Sequence, residues 1–448
     1  MAAAEPGAQP AKGTLERLLS PIADVHAGEA AGVLLLTTMM FLLLSGYYLL
    51  KTAREVFILS EGGAEVKSYA SAGQALLLLI LVPAYGAFAS RVNRIQLVSW
   101  VSLFFASNIV LFALAERAGL RVGVPYFLWV GIFNVMVIAQ FWAFANDLYT
   151  PEQGKRLFPL IGVGSSLGAW LGSVRAGVVM ETFGPMRLLA GGTVALVLCV
   201  LLARLANRQI SSTDRSKPQA RIEDAPVGDG QSGFGMLFSD RYLMLIGLLV
   251  LLLNVVNTGG EYLFGRFVVQ DAVARFGDGA ASQAARGQYI GATYAGFFSY
   301  VNLIGLLLQM FVVSRVFKYL GVGRSLLIHP IVAGAGYLLM LGVPSFGAMR
   351  IVKTVDNSLD YSLSNTTKQA LWLPTSRQAK YKAKQAVDSF CVRAGDVISA
   401  AIVYTGELAS FAIPVFAAIN IALTVGWLAA AMALNRRLAA QNGRGSDL

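Results

Sequence analysis

The chain of 448 residues is 56% hydrophobic and 14% charged, with a mean hydropathy of +0.61. That apolarity excludes a soluble globular protein of this length and places the chain in a lipid bilayer. A net charge of +11 would point to nucleic acid in a soluble protein. Here the cations fall mainly in alternate loops, so they set membrane topology and leave no case for a nucleic-acid partner.

Residues 1–32 read as a tail, with Leu15, Leu18, Leu19 and Ile22 able to make a short interfacial helix. Glu5, Glu16, Asp24 and Glu29 argue against a cleavable leader. A span needs roughly 20 apolar residues, and on that rule about twelve segments follow. The first six are 33–59, 68–90, 96–115, 125–148, 157–180 and 187–206, together a six-helix half over 33–206. Residues 207–240, rich in charge, Pro and Gly, read as a polar linker. The second half, 241–436, holds 242–267, 288–316, 324–342, 346–366, 386–408 and 412–434, and 437–448 is a tail. The fold expected is an all-α membrane protein of two six-helix halves. Arg91, Arg94, Lys155, Arg156, Arg315, Lys318, Arg324, residues 368–384, Arg436 and Arg437 fall on one side. The positive-inside rule then puts both termini and the linker in the cytoplasm, with the cell membrane of a bacterium as the location.

In the first span, Tyr47, Lys51, Arg54 and Ile58 share one helical face, and Glu55 adjoins them. Each ionised residue at mid-membrane costs roughly 2.5–3.5 kcal/mol, so such residues face a bundle interior or a watery cavity. The competing reading is a helix end whose cations reach the headgroups. The fourth span carries Asn134, with Asp147 near its end. Asn257 and Glu261 lie on one stripe of the seventh with Asn254, where Gly259 and Gly260 permit irregularity. Lys353, Asp356 and Asp360 repeat that spacing in the tenth, and Asp388, Arg393 and Asp396 occupy the eleventh, where Lys384 can pair with Asp388 at i, i+4. These polar stripes read either as a water-accessible binding and gating network or as interhelix ion pairs that fix packing.

Gly164, Gly168 and Gly172 make a GxxxGxxxG face for close helix packing. Cys199 and Cys391 read as packing residues. His26 and His329 are too far apart in sequence for a metal site, and His329 reads as a satisfied or interfacial histidine. No nucleophile elbow, zinc-protease or deaminase pattern occurs, so an enzyme reading has no support and no cofactor is called for.

Several stretches resemble one family, the bacterial and plastid ATP/ADP translocases. They are the Tyr47-x-Leu49-Leu50-Lys51-x-x-Arg54-Glu55 run, Phe141-Trp142-Ala143-Phe144-Ala145-Asn146, Lys155-Arg156-Leu157-Phe158-Pro159-Leu160, and Tyr361 onward. The last includes Thr367-Lys368-Gln369, Leu373-Pro374, Lys380, Lys382, Lys384, Asp388, Arg393 and Gly395. The resemblance implies a major facilitator-like fold and nucleotide exchange by alternating access, with the halves rocking about a midplane site. It implies an anionic small-molecule substrate, ATP or ADP, as partner. Lys51 and Arg54 exchange the family's usual order while Glu55 keeps its sign, and Glu261 matches an acid of the seventh helix. Val130 stands where a glutamate is usual, Asp396 where a lysine is, and Gln369 where an acid is common.

On this reading Tyr47, Tyr48, Lys51, Arg54, Asn134, Asn257, Glu261, Lys353, Asp356, Asp360 and Arg393 bind substrate. Glu55, Asp147, Asp388 and Asp396 gate or couple. The alternatives are a proton- or cation-coupled transporter of a different solute, favoured by Val130 and Asp396, and a non-transporting membrane assembly protein.

Overall fold

A computed structural model describes residues 13–19, 24–89, 92–213, 233–376 and 379–445. The regular structure in them is helical: α1 Thr14–Leu19, α2 Ala30–Ala89, α3 Arg94–Arg117, α4 Gly123–Leu148, α5 Pro151–Phe183 and α6 Pro185–Thr213. There follow α7 Gly233–Ser239, α8 Arg241–Phe276, α9 Gln283–Leu307, α10 Val313–Ser325, α11 Ile328–Gly342 and α12 Phe346–Leu359. The last are α13 Asn365–Ala370, α14 Lys384–Ala386, α15 Val392–Leu408 and α16 Ile413–Gly445. Wider π turns at Leu308–Val312, Asp360–Ser364, Ala379–Ala383 and Val387–Cys391 interrupt the second half.

The first two predicted spans lie in α2, whose only non-helical residue is Gly63, at φ 75° and ψ −172°. That backbone region is open to glycine alone among common residues. The chain reverses there: Glu55 and Lys67, twelve residues apart, meet at 2.7 Å, whereas a straight helix would hold them about 18 Å apart. The loop expected over 60–67 is therefore a one-residue corner, and helix continues on both sides of it. Gly184, at φ 74° and ψ −176°, makes a similar corner between α5 and α6.

Among the described residues, eight helices are long and apolar enough to cross a membrane. The remaining spans are shorter helices or helices broken by π turns, so the predicted segments persist with fewer unbroken rods. Leu15, Leu18 and Leu19 fall on α1, while Ile22 lies outside the described residues. Of the predicted linker, 214–232 lies outside them too, and its flanks are helical. α6 runs on to Thr213, and Asp240 caps α8 by accepting from the Tyr242 amide at 2.7 Å. The stretch from 437 is also helical, as α16 continues to Gly445 through helix-forming Ala, Leu and Arg.

The GxxxGxxxG face packs α5 against the first arm of α2. A methyl group on Gly164 would lie 2.5 Å from the Thr37 carbonyl oxygen, one on Gly172 would lie 2.6 Å from the Ser45 Cα, and one on Gly168 would overlap the Phe41 carbonyl. The small residues let the backbones touch, and the Ser45 hydroxyl donates to the Gly168 carbonyl at 3.1 Å. Cys199 and Cys391 are buried free thiols, as packing residues would be.

Candidate functional site

The cationic stripe of α2 points between the two groups of helices. Lys51 is 9% exposed, and its Nζ lies 4.2 Å from the Phe298 ring centre, 5.3 Å from that of Tyr48 and 5.8 Å from that of Tyr47. Phe298 belongs to α9, so the cage takes walls from both halves. Among the described residues no carboxylate comes within ion-pair distance of Lys51, although Glu55 and Glu261 act on it electrostatically from further away. Ring faces attract a desolvated cation by about 2 kcal/mol. They carry no compensating charge, and that leaves Lys51 receptive to an anion.

Arg54 lies with its guanidinium over Phe127, 4.6 Å from the ring centre, and donates to Glu55. Glu55, 1% exposed, also holds Lys67 at 2.7 Å. Lys67 reaches across to the second half, where its Nζ is 3.5 Å from Glu261 and 3.3 Å from the Tyr294 hydroxyl. Glu261 accepts from Asn357 at 3.0 Å and lies 3.7 Å from Lys353. Lys353, 1% exposed, binds Asp356 at 2.9 Å and the carbonyl and side chain of Asn257. Asp356 in turn meets His329 Nε2 at 2.9 Å, and the other ring nitrogen contacts Ser364 Oγ at 2.7 Å. One run of charge thus passes from Arg54 to His329 through the centre of the bundle.

Sequence spacing had grouped Tyr47, Lys51 and Arg54 with Glu55 beside them, Asn257 with Glu261, and Lys353 with Asp356, and the structure joins these groups, with Tyr48, in or beside this run. His329 is satisfied, as read from the sequence. Asn134 is half-buried on α4 beside Phe133, whose ring stacks on Tyr47 at 6.4 Å. Asp360 pairs with Lys368 at 3.3 Å. A separate patch holds Arg393 3.5 Å from Asp396, which accepts from Asn254 at 2.9 Å and Thr258 at 3.0 Å. Asp388 is half-exposed and paired with Lys384 at 2.6 Å, as the i, i+4 spacing predicts. Asp147 is exposed near the end of α4. Lys67, Tyr294 and Asn302 were missed. The signal for Lys67 was a cation just past a Gly-Gly pair, which places it opposite Glu55 once the chain turns back.

Side-chain contacts between the halves include several that join residues 48–69 and 169–181 to residues 261–302 and Tyr404. Tyr48 donates to Asn302 at 2.9 Å, Asn302 donates to Ser173 at 3.1 Å, Gln288 donates to the Met180 and Glu181 carbonyls, and Tyr69 meets Tyr404 at 6.0 Å. These positions surround the end of the bundle that carries the Gly63 and Gly184 corners. Tyr361, in the π turn that follows α12, is 44% exposed.

No protein-family model matches the chain. In sequence it is similar to ADP,ATP carrier protein 1 of Chlamydia pneumoniae, 22% identical over 357 residues, which are 69% of this chain and 66% of the carrier. It is also similar to the plastidic ATP/ADP-transporter of Solanum tuberosum, 24% identical over 348 residues, 67% of this chain and 51% of the transporter. The chain spans about half to two thirds of the length of these relatives. In structure it is similar to the nucleoside transporter NupG, with a TM-score of 0.61 and 11% identity over 90% of this chain and 98% of that one. The resemblance read from the sequence is borne out by these relatives, and the fold is of the major facilitator type.

Proposed function

We propose that the protein is a secondary transporter that moves a nucleotide or similar phosphorylated anion by alternating access. The observation that carries this reading is Lys51, a buried cation between the halves that is walled by aromatic rings and has no carboxylate of its own among the described residues. Point-charge lysine and fork-shaped arginine both bind phosphate oxygens, so Lys51 and Arg54 would hold phosphate. Tyr47, Tyr48 and Tyr361 offer ring faces to a base. The names of the sequence relatives supply the nucleotide, and the fold supplies the moving halves.

On this reading the contacts around Gly63 close one face of the membrane, and substrate enters from the face that carries the termini. The basic loops support a cytoplasmic position for that face, in a bacterial cell membrane. Lys67 is then a latch between Glu55 and Glu261, and opening the outer face parts it from Glu261. Substrate moves the equilibrium between the two states only by its differential affinity for them. Transport of this kind needs no covalent chemistry, in keeping with a protein that is not an enzyme.

Equilibrium titration of purified protein with nucleotides tests the assignment. Binding to the wild type that falls at least about tenfold in both Lys51→Gln and Arg54→Gln, as loss of a charge-assisted contact requires, supports it. Equal binding in all three proteins refutes it.

A further inference from the structure

Phosphorylated anions differ in the charge they carry, and the charge of the enclosing site decides which of them can be taken in without leaving an excess. Lys51, Arg54, Glu55, Lys67, Glu261, Lys353 and Asp356 belong to one electrostatic unit, the last six linked by ion pairs and Lys51 placed one helical turn before Glu55 on α2. Four cations face three carboxylates. The unit therefore carries one positive charge with the His329 ring neutral, and two with it protonated. The separate Arg393–Asp396 and Lys368–Asp360 pairs are each balanced and change nothing.

Exchange of partners does not alter this total. If a phosphate takes Arg54 from Glu55, Glu55 keeps Lys67, and the sum over the unit stays the same. Enclosing a ligand whose charge exceeds that of the unit leaves net charge in a low-dielectric space, at an effective cost of several kcal/mol per ion. A phosphate monoester carries about −1.5 to −2 near pH 7, which fits a unit of one or two positive charges. Each further phosphoryl group adds more negative charge, and a bound divalent cation cancels two charges.

We propose that the site is matched to an anion of one to two charges, of the nucleoside monophosphate kind, and that it takes nucleoside di- and triphosphates well only as divalent-cation complexes. The inference rests on the anion-site reading above and narrows its substrate class.

The test titrates purified protein with inorganic phosphate, a nucleoside, and the nucleoside mono-, di- and triphosphates, each in a chelator and again in magnesium. In chelator, affinity should fall from mono- to triphosphate by about tenfold or more, and magnesium should recover most of the loss. Inorganic phosphate should compete, and the unphosphorylated nucleoside should bind weakly. Glu261→Gln raises the unit by one positive charge and should move the metal-free preference towards the diphosphate. Lys51→Gln lowers it by one and should weaken every phosphorylated ligand.

Tightest binding of the metal-free triphosphate, or a Glu261→Gln protein with an unchanged order of preference, overturns the charge-matching proposal while leaving an anion site in place. Failure of every phosphorylated ligand to bind the wild type overturns the anion site itself. The two failures are thus distinguishable, and the wild-type series tells them apart even where a variant does not fold.

Discussion

Lys67 gives the sharpest mutational test, because it makes one ion pair within its own half and one across to the other. Glu55 is 1% exposed and Lys67 is 7% exposed, 2.7 Å apart, so replacing Lys67 with Met leaves a buried carboxylate with Arg54 as its remaining partner. Breaking a buried pair from one side costs about 3–5 kcal/mol. The retained Arg54 contact places the expected loss near the low end, about 3 kcal/mol. The bond to Glu261 is different in kind. It spans 3.5 Å to a carboxylate that is 26% exposed, and screening holds such a pair to about 1 kcal/mol or less. Its loss acts on the balance between states, where about 1 kcal/mol is a roughly fivefold shift in population.

Two assays separate these effects. Unfolding free energy in mixed micelles should drop by about 3 kcal/mol in Lys67→Met and by far less in Glu261→Gln, whose amide oxygen still accepts from Asn357. Alkylation of a single cysteine placed at Ser60, near the Gly63 corner, should rise in both variants as the two halves part there. Wild-type stability in Lys67→Met, or unchanged alkylation in both, would refute the latch.

Further outcomes follow from other contacts. Gly168→Leu drives a side chain into the Phe41 backbone and should cost more than about 3 kcal/mol, whereas Gly162→Ala, with nothing within 4 Å of the added carbon, should leave the yield of folded protein unchanged in size-exclusion chromatography. His329→Leu removes hydrogen bonds to Asp356 and Ser364 and should lower unfolding free energy by about 2 kcal/mol, while Asp356 keeps Lys353. At the start of α2, burial works against ionised Glu29, but the Arg156 guanidinium, the His26 amide and Gln153 outweigh it and hold the carboxyl below its usual 4.5. A carboxyl so lowered stabilises fully above pH 4.5, and the contribution is lost as pH falls through the depressed value. Hydrogen-exchange protection over residues 24–33, relative to the intrinsic rate at each pH, should therefore fall in acid below pH 4.5 in the wild type. Arg156→Gln should be less protected already at pH 7, with a smaller further loss on acidification.

Much of this site was legible because membrane helices leave few ways to place a charge. An ionised residue in an apolar run must face inward, and helical spacing then fixes its neighbours, so Lys51 with Arg54, Asn257 with Glu261, and Lys353 with Asp356 were found as stripes. What spacing could not show was which stripes meet. Lys67 sat in a stretch read as a connecting loop, because eight residues between two apolar runs look like a turn. A single glycine at positive φ makes the corner instead and returns Lys67 to membrane depth opposite Glu55. Asp147 and Asp388 share the residue type of Glu261 but lie outside the central run, Asp147 exposed and Asp388 half-exposed. Val130, where related exchangers were expected to carry an acid, is fully buried, and its neighbours in sequence, Tyr126, Trp129 and Phe133, stack on one another. A carboxylate there would need a partner that this aromatic stack does not offer.

The most direct measurement is counterflow of labelled nucleotide into proteoliposomes loaded with the unlabelled compound. Wild-type protein should accumulate label transiently, and Lys51→Gln should fall to the level of protein-free vesicles while still incorporating as a folded monodisperse protein. Equal counterflow by wild type and Lys51→Gln would contradict a transport site built around the caged cation.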